Sequence, residues 1–364
     1  MIMSKWPDWL PLKAALTDSS VYGAPQISNV VMLNTNENPF PLPAQVVDQI
    51  SEAVRQTAVD LNRYPDRDAI ALRTALAKYI SKDVNGISID NIWAANGSNE
   101  ILQQLFLAYA SGVCLGFTPS YSVHPLIAKI TGANWVAAAL DNNFNLSIEL
   151  LTSLINKENP SLIFITTPNN PTGGVVKYEL LEKIANLIVG RKTLLVIDEA
   201  YAEFSTEKSA VNLISKYPQV VVVRTMSKAF AFAGARLGYL VADKTVVDGL
   251  KVVRLPYHLS SLTQAAALVA LENAKMMQSE ITEIVKSRQV VKDGLEKLGL
   301  KVIDSGANFL FFTGFKGSSE QLWQQLLDQQ LLVRDVGYAG YLRVSIGTES
   351  ENQKFLQSIK LILG

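Results

Sequence analysis

One cysteine, Cys114, is all that the 364 residues contain. No internal disulfide can form, and such a chain suits a reducing compartment. Cys114 sits in the apolar run 113–117 and reads as a buried structural thiol rather than a nucleophile. Histidine is nearly as scarce. His124 and His258 have no Cys or His at ligand spacing, which argues against a histidine-rich metal centre. Net charge is missing as well: Lys plus Arg and Asp plus Glu each number 33. No global field therefore draws the chain to nucleic acid or to an anionic membrane. No stretch reaches the ~18 apolar residues of a membrane span. The segment 1–16, with Trp6, Pro7, Asp8 and Pro11, lacks the unbroken apolar core of a secretory signal. The expected location is the cytoplasm.

What is present is a globular composition, 48 % hydrophobic and 18 % charged, unlike that of a disordered chain. The length exceeds that of a usual single core, so two domains are expected. From residue 92 onward, apolar runs fall at 92–95, 113–117, 135–140, 162–167, 194–198, 220–224 and 237–242. Between them lie stretches such as 100–110 and 178–189, where apolar residues recur at helical intervals. This alternation predicts an α/β fold, a mostly parallel seven-stranded sheet with helices on both faces. Such sheets bind ligands at the carboxyl ends of their strands. After residue 255, a long helical stretch at 261–298 leads into apolar runs near 302, 309–312, 331–334 and 341–346, a smaller α+β domain. The expected division is an N-terminal arm over 1–32, packing with the small domain or a partner subunit, a large domain over 33–255 and a small one over 256–364.

The chemistry centres on Lys228, in the segment 224–239 after an apolar run, with Thr225, Ser227 and Arg236 nearby. Desolvation lowers an amine's pKa and frees it to attack an aldehyde. Hydroxyls and a guanidinium beside it suit a phosphate. An amine nucleophile next to a phosphate cup is what pyridoxal 5′-phosphate requires. Upstream, Gly97, Ser98 and Asn99 join a strand to a helix, where free N–H groups can hold an anion; a ligand-free helix cap is the commoner meaning of that pattern. Asp198 ends a buried run and needs a partner. A pyridinium nitrogen is one, and the pair makes the ring an electron sink; an aspartate capping the next turn is the other reading. Glu199 is expected to point the opposite way. Tyr201 and Asn170 can reach the cofactor's phenolic oxygen, and Tyr121 can stack on its ring or serve as a core aromatic. Nothing in the sequence decides whether His124 touches substrate or packs.

In this order, Asn-Pro-Thr-Gly at 170–173, Asp-Glu-Ala-Tyr at 198–201, and Ser-Lys at 227–228 followed by Gly-x-Arg-x-Gly-Tyr at 234–239 resemble the fold type I pyridoxal-phosphate-dependent aminotransferases. The segments 33–40, 63–66 (Arg-Tyr-Pro-Asp) and 341–348 narrow the resemblance to the histidinol-phosphate aminotransferase branch. The resemblance implies that Lys228 holds the cofactor covalently and moves the proton between substrate Cα and cofactor C4′. It implies Gly97, Ser98, Thr225, Ser227 and Arg236 around the cofactor phosphate. Tyr64 is implied to reach that phosphate from a partner subunit, making the active unit a homodimer. Arg343 is implied to pair with the carboxylate of glutamate, and Tyr22, Asn36 and Arg334 to face the phosphate end of histidinol phosphate. Two segments depart from the family pattern: the loop between Arg334 and Arg343 is short, and 22–26 is an imperfect Tyr-x-Pro-Gly.

The expected reaction is ping-pong transamination linking L-histidinol phosphate and 2-oxoglutarate to imidazole-acetol phosphate and L-glutamate, in histidine biosynthesis. An aromatic amino-acid aminotransferase on the same frame stays open as an alternative. So do a threonine-phosphate-type decarboxylase and a non-catalytic pyridoxal-phosphate-binding module.

Overall fold

The protein was analysed as a computed structural model, which describes residues 6–7, 9–19 and 21–364. Asp8 and the other undescribed positions of the expected N-terminal arm lie outside that set. Seven strands form the main sheet in the order Ile92–Ala95, Gly238–Val241, Val220–Thr225, Leu194–Asp198, Leu162–Thr166, Val113–Thr118, Asn134–Ala139. Gly238–Val241 runs antiparallel to both neighbours, and every other pairing is parallel. The expected mostly parallel α/β architecture is thus the observed one.

Alternation along these strands decides which side chains reach the site. Val221 and Val223 enter one core with Val196 and with Ile101, Leu102 and Leu105 of helix Ser98–Tyr109. Val220, Val222, Leu195 and Ile197 enter the core on the opposite face. By the same period, Asp198 and Thr225 project toward the face covered by helix Ser98–Tyr109. Glu199 and Arg224 project away from it. Both strands are buried along nearly their whole length, as expected for a sheet covered on both faces.

Downstream, Leu342–Ser345, Phe309–Thr313 and Lys301–Ile303 form an antiparallel sheet in that order. Val31–Met32 pairs in parallel with Leu331–Leu332. The chain just after it stays laced to this C-terminal layer: Ser345 N–H donates to Leu33 O at 2.9 Å, and Asn308 Nδ2 to Asn36 O at 3.0 Å. The helical stretch expected as one unit over 261–298 is two helices, Ser261–Glu272 and Ala274–Lys297. They part at Asn273, whose Nδ2 donates to Val269 O and to Gln49 Oε1; such a side chain competes with the helix's own bonding. Among the described residues, no helix is long and apolar enough to cross a membrane.

Candidate active site

A cavity of about 430 Å³ opens where the carboxyl ends of the central strands meet the C-terminal layer. It gathers Tyr22, Asn36, Ser98, Asn99, Tyr121, Asn170, Asp198, Tyr201, Thr225, Ser227, Lys228, Arg236, Arg334 and Arg343, nearly every residue singled out from the sequence. A larger cavity, about 1030 Å³, lies alongside and holds none of these. Size does not locate the chemistry here.

Lys228 leaves the end of strand Val220–Thr225, and its Nζ donates to Thr35 O at 2.8 Å. Burial, reinforced by the nearby Arg343 and Arg236 guanidinia and opposed by Glu37, lowers its pKa to about 8. At pH 7 roughly a tenth of the amine is then neutral, far more than for an unburied lysine. Asp198 ends the neighbouring strand. Its Oδ1 accepts from Ala200 N at 3.1 Å, and its Oδ2 lies 3.4 Å from His124 Nε2. That nitrogen is buried without a hydrogen bond. His124 thus packs beneath the site behind Asp198, with Tyr121 edge-on to its ring at 5.4 Å. Tyr121 and His124 straddle the start of helix Val123–Thr131, one turn apart, and it is the packing of that helix start that puts His124 behind Asp198.

An anion cradle lies at the other end. Helix Ser98–Tyr109 starts at Gly97 without a side-chain cap, which leaves its first N–H groups free for a ligand. Gly97 has φ +82°, and a Cβ there would stand 2.7 Å from Arg236 Nη2. Gly238 lets strand Gly238–Val241 approach the same turn, since its Cβ would lie 2.2 Å from Ser98 N. Arg236 adopts φ 55°, and its Nη1 donates to Ala233 O at 2.9 Å. Such a backbone state in a long side chain is costly and marks functional sites more often than others. Thr225 Oγ1 donates to Ser227 Oγ at 3.0 Å, closing the cradle with two hydroxyls.

The C-terminal layer supplies the third wall. Arg343 is buried, with Nη1 2.5 Å from Asn170 Oδ1 and Nη2 2.6 Å from Asn34 O. Its Nε has no hydrogen-bond partner among the described residues. Burial lowers its pKa to about 10; Tyr201 opposes that shift and Arg334 adds to it. Arg334 and Arg343 are bridged through their backbones, each N–H donating to the other's carbonyl at 2.9 Å. Tyr201 OH accepts from Asn36 Nδ2 at 3.0 Å, and burial raises its pKa against the pull of Arg343. Asn170 lines the cavity with its oxygen committed to Arg343 rather than turned toward Tyr201. Tyr121 OH donates to Asn99 Oδ1 at 3.1 Å. Tyr22 stands at the rim, 49 % exposed.

Tyr64 alone is not brought in. It is 79 % exposed and stacks on Tyr257 at 4.4 Å. Glu199, as expected, points away. It receives Arg224 Nη2 at 2.7 Å, and Glu203 receives Arg224 Nη1 at 3.1 Å. Thr35 and Glu37 also line the cavity; they lie in the 33–40 segment that carries the resemblance, but the sequence reading gave neither a role.

Taken together, a depressed-pKa lysine, a sheet-end carboxylate, an uncapped helix start with a guanidinium, and two more guanidinia fit a phosphorylated pyridine aldehyde and an anionic amino donor. The comparisons agree. The chain matches the family described as Aminotransferase class I and II over residues 28–359. It is 48 % identical over 355 residues to the histidinol-phosphate aminotransferase of Mycobacterium marinum, covering 96 % of this chain and 92 % of that one. It is 44 % identical to the histidinol-phosphate aminotransferase of Corynebacterium diphtheriae, covering 96 % of each. The crystal structure of the Clostridium acetobutylicum histidinol-phosphate aminotransferase superposes with a TM-score of 0.83 at 27 % identity, covering 92 % of this chain and 99 % of that one. The chain belongs to the class I and II aminotransferases, within their histidinol-phosphate aminotransferase branch.

Proposed function

We propose that this protein is a pyridoxal 5′-phosphate-dependent transaminase interconverting L-histidinol phosphate plus 2-oxoglutarate and imidazole-acetol phosphate plus L-glutamate, a step of histidine biosynthesis in the cytoplasm. One observation carries the reading. Lys228, with its amine poised near neutrality, and Asp198 line a single cavity with Arg236 at one end and Arg334 and Arg343 at the other. When bound, the cofactor supplies an aldehyde to carry the amino group and a ring that accepts electrons from the substrate's Cα.

The protein's own groups do the rest. Lys228 Nζ would hold the cofactor and, as its amine is freed, would serve as the base and acid that moves the substrate's Cα proton. Asp198 holds the ring nitrogen, and Tyr201 the phenolic oxygen with Asn170 close by. Tyr121 covers the ring. The N–H groups of Ser98 and Asn99, the hydroxyls of Thr225 and Ser227, and Arg236 hold the phosphate over Gly97. Arg343 takes the carboxylate of glutamate, exchanging Asn170 Oδ1 and Asn34 O for a bidentate partner. Tyr22, Asn36 and Arg334 take the distal anion. Tyr64, exposed on its own chain, reaches the phosphate of a partner subunit, so the working unit is a homodimer.

Arg334 and Arg343, beyond the cofactor's own Arg236, favour glutamate with its two carboxylates, or a substrate whose doubly charged phosphate can engage both guanidinia, over an aromatic 2-oxo acid with one singly charged carboxylate. The test is a panel of acceptors offered to the aminated enzyme: imidazole-acetol phosphate, phenylpyruvate and 2-oxoglutarate. The phosphate-bearing acceptor should exceed phenylpyruvate in kcat/KM by about 10²-fold or more, since an unfilled buried charge site rejects ligands that lack the matching group. Equal rates would favour an aromatic aminotransferase, and carbon dioxide release a decarboxylase.

A further inference from the structure

The loop closed by the Arg334–Arg343 bridge is shorter than its family pattern, yet it carries two tyrosines that no step of the proposed reaction uses. Tyr338 and Tyr341 face a ring from the other side of the molecule. Phe144 lies in the turn between strand Asn134–Ala139 of the main sheet and helix Ile148–Glu158. It is 8 % exposed and sits edge-on to Phe311 at 5.8 Å, to Tyr338 at 5.5 Å and to Tyr341 at 5.5 Å. Phe311 in turn stacks on Tyr341 at 4.7 Å. All three partners belong to the C-terminal layer, so one side chain from the sheet turn is enclosed by rings of the opposing unit.

The turn is shaped to present that ring. Phe144 has φ 62°, a conformation rarely adopted by a bulky residue. Asp141 holds it there: its Oδ1 accepts from Asn143 N and Asn145 N at 2.8 Å each, and its backbone O accepts from Phe144 N at 2.9 Å. Strain of this kind persists only where the surroundings over-determine it. The enclosed ring leads directly to the substrate arginines. Phe311 is paired in register with Arg343, which places both side chains on one face of the small sheet. Tyr341 lies two residues before Arg343, and Gly340 O, in the same loop, is fixed by Thr313 Oγ1 at 2.6 Å. Phe144 itself lines the neighbouring larger cavity and not the one holding Lys228.

We propose that Phe144 is a positioning residue for substrate binding: its ring fixes the Arg334–Arg343 loop against the sheet that carries the cofactor, and so sets where the two guanidinia meet a dianionic substrate. The inference deepens the proposed transamination and rests on it for the identity of the substrate. The ring docks one unit on the other through contacts with directional edge-to-face geometry. Small displacements of binding groups cost affinity steeply.

The test compares Phe144→Gly, which deletes the ring and relieves the backbone, with Phe144→Leu, which keeps apolar bulk. Holoenzyme is mixed with glutamate, and the absorbance change of the first half-reaction is followed across glutamate concentrations. Pyridoxal phosphate affinity is measured on the same samples. Phe144→Gly should raise the apparent glutamate constant about tenfold, with the limiting rate within about twofold and cofactor affinity unchanged. Phe144→Leu should recover most of the loss. An unchanged glutamate constant in Phe144→Gly would overturn the proposal. So would a parallel loss of cofactor affinity, which marks a general loss of fold. This half-reaction does not involve the phosphate-bearing acceptor. If the wild-type enzyme fails to use imidazole-acetol phosphate, the proposed function falls while the Phe144 comparison still reads out.

Discussion

Lys228→Ala should lower turnover by about 10⁴-fold or more, the scale seen when a group serving both covalent and proton-transfer roles is removed. Binding of the cofactor should survive in weakened, noncovalent form, because Arg236, the Thr225 and Ser227 hydroxyls and the start of helix Ser98–Tyr109 remain in place. The size of the loss follows from the surroundings of Nζ. The amine lies over the ring of Tyr201, 6.0 Å from its centroid, with Arg343 and Arg236 near enough to repel its charge. A pKa lowered to about 8 leaves far more neutral amine at pH 7 than an ordinary lysine's 10.5 does. Steady-state rates with glutamate as donor, together with the bound cofactor's absorbance, check both halves of the expectation. A variant losing less than about a hundredfold would show that another group moves the proton.

Asp198→Ala carries the second large effect. The carboxylate is 2 % exposed, ends a strand whose neighbours are packed on both faces, and has His124 behind it at 3.4 Å. Removing one member of a buried ion pair costs about 3–5 kcal/mol. On the proposed role, the ring nitrogen's charge would no longer be held, and electron withdrawal from the substrate's Cα would weaken in the transition state. At 1.36 kcal/mol per factor of ten, that loss corresponds to about 10²–10⁴ in kcat/KM. Because the alanine leaves the cradle intact, the phosphate end should still bind. Single-turnover kinetics with glutamate would measure the drop directly. A loss under about tenfold would mean that Asp198 caps its own turn through Ala200 N–H and does no more.

Much of this was legible in the sequence because the strands at 194–198 and 220–225 are short, β-branched and terminated by polar residues. Period-two alternation then put Glu199 on the face opposite Asp198. The remainder depended on contacts that local spacing does not encode. Thr35 O meets Lys228 from 193 positions away, and Asn34 O meets Arg343 from 309. Asn170 lines the cavity as its motif suggested, and its oxygen also accepts from Arg343, a residue 173 positions on. The helical stretch after residue 261 read as continuous because the apolar pattern runs through Asn273; the break comes from that amide's bonding, which periodicity does not register. His124 owes its place to the packing of the helix start beside Tyr121 under Asp198, which local spacing does not encode. Tyr64 stays apart from its own chain's cavity, exposed and stacked on Tyr257.

Borohydride reduction of the protein loaded with pyridoxal 5′-phosphate, followed by peptide mapping, bears most directly on the account. The cofactor's mass should be fixed on the peptide that contains Lys228, and nowhere else in proportion to activity lost. A label on a different lysine, or full inactivation with Lys228 unmodified, would contradict it.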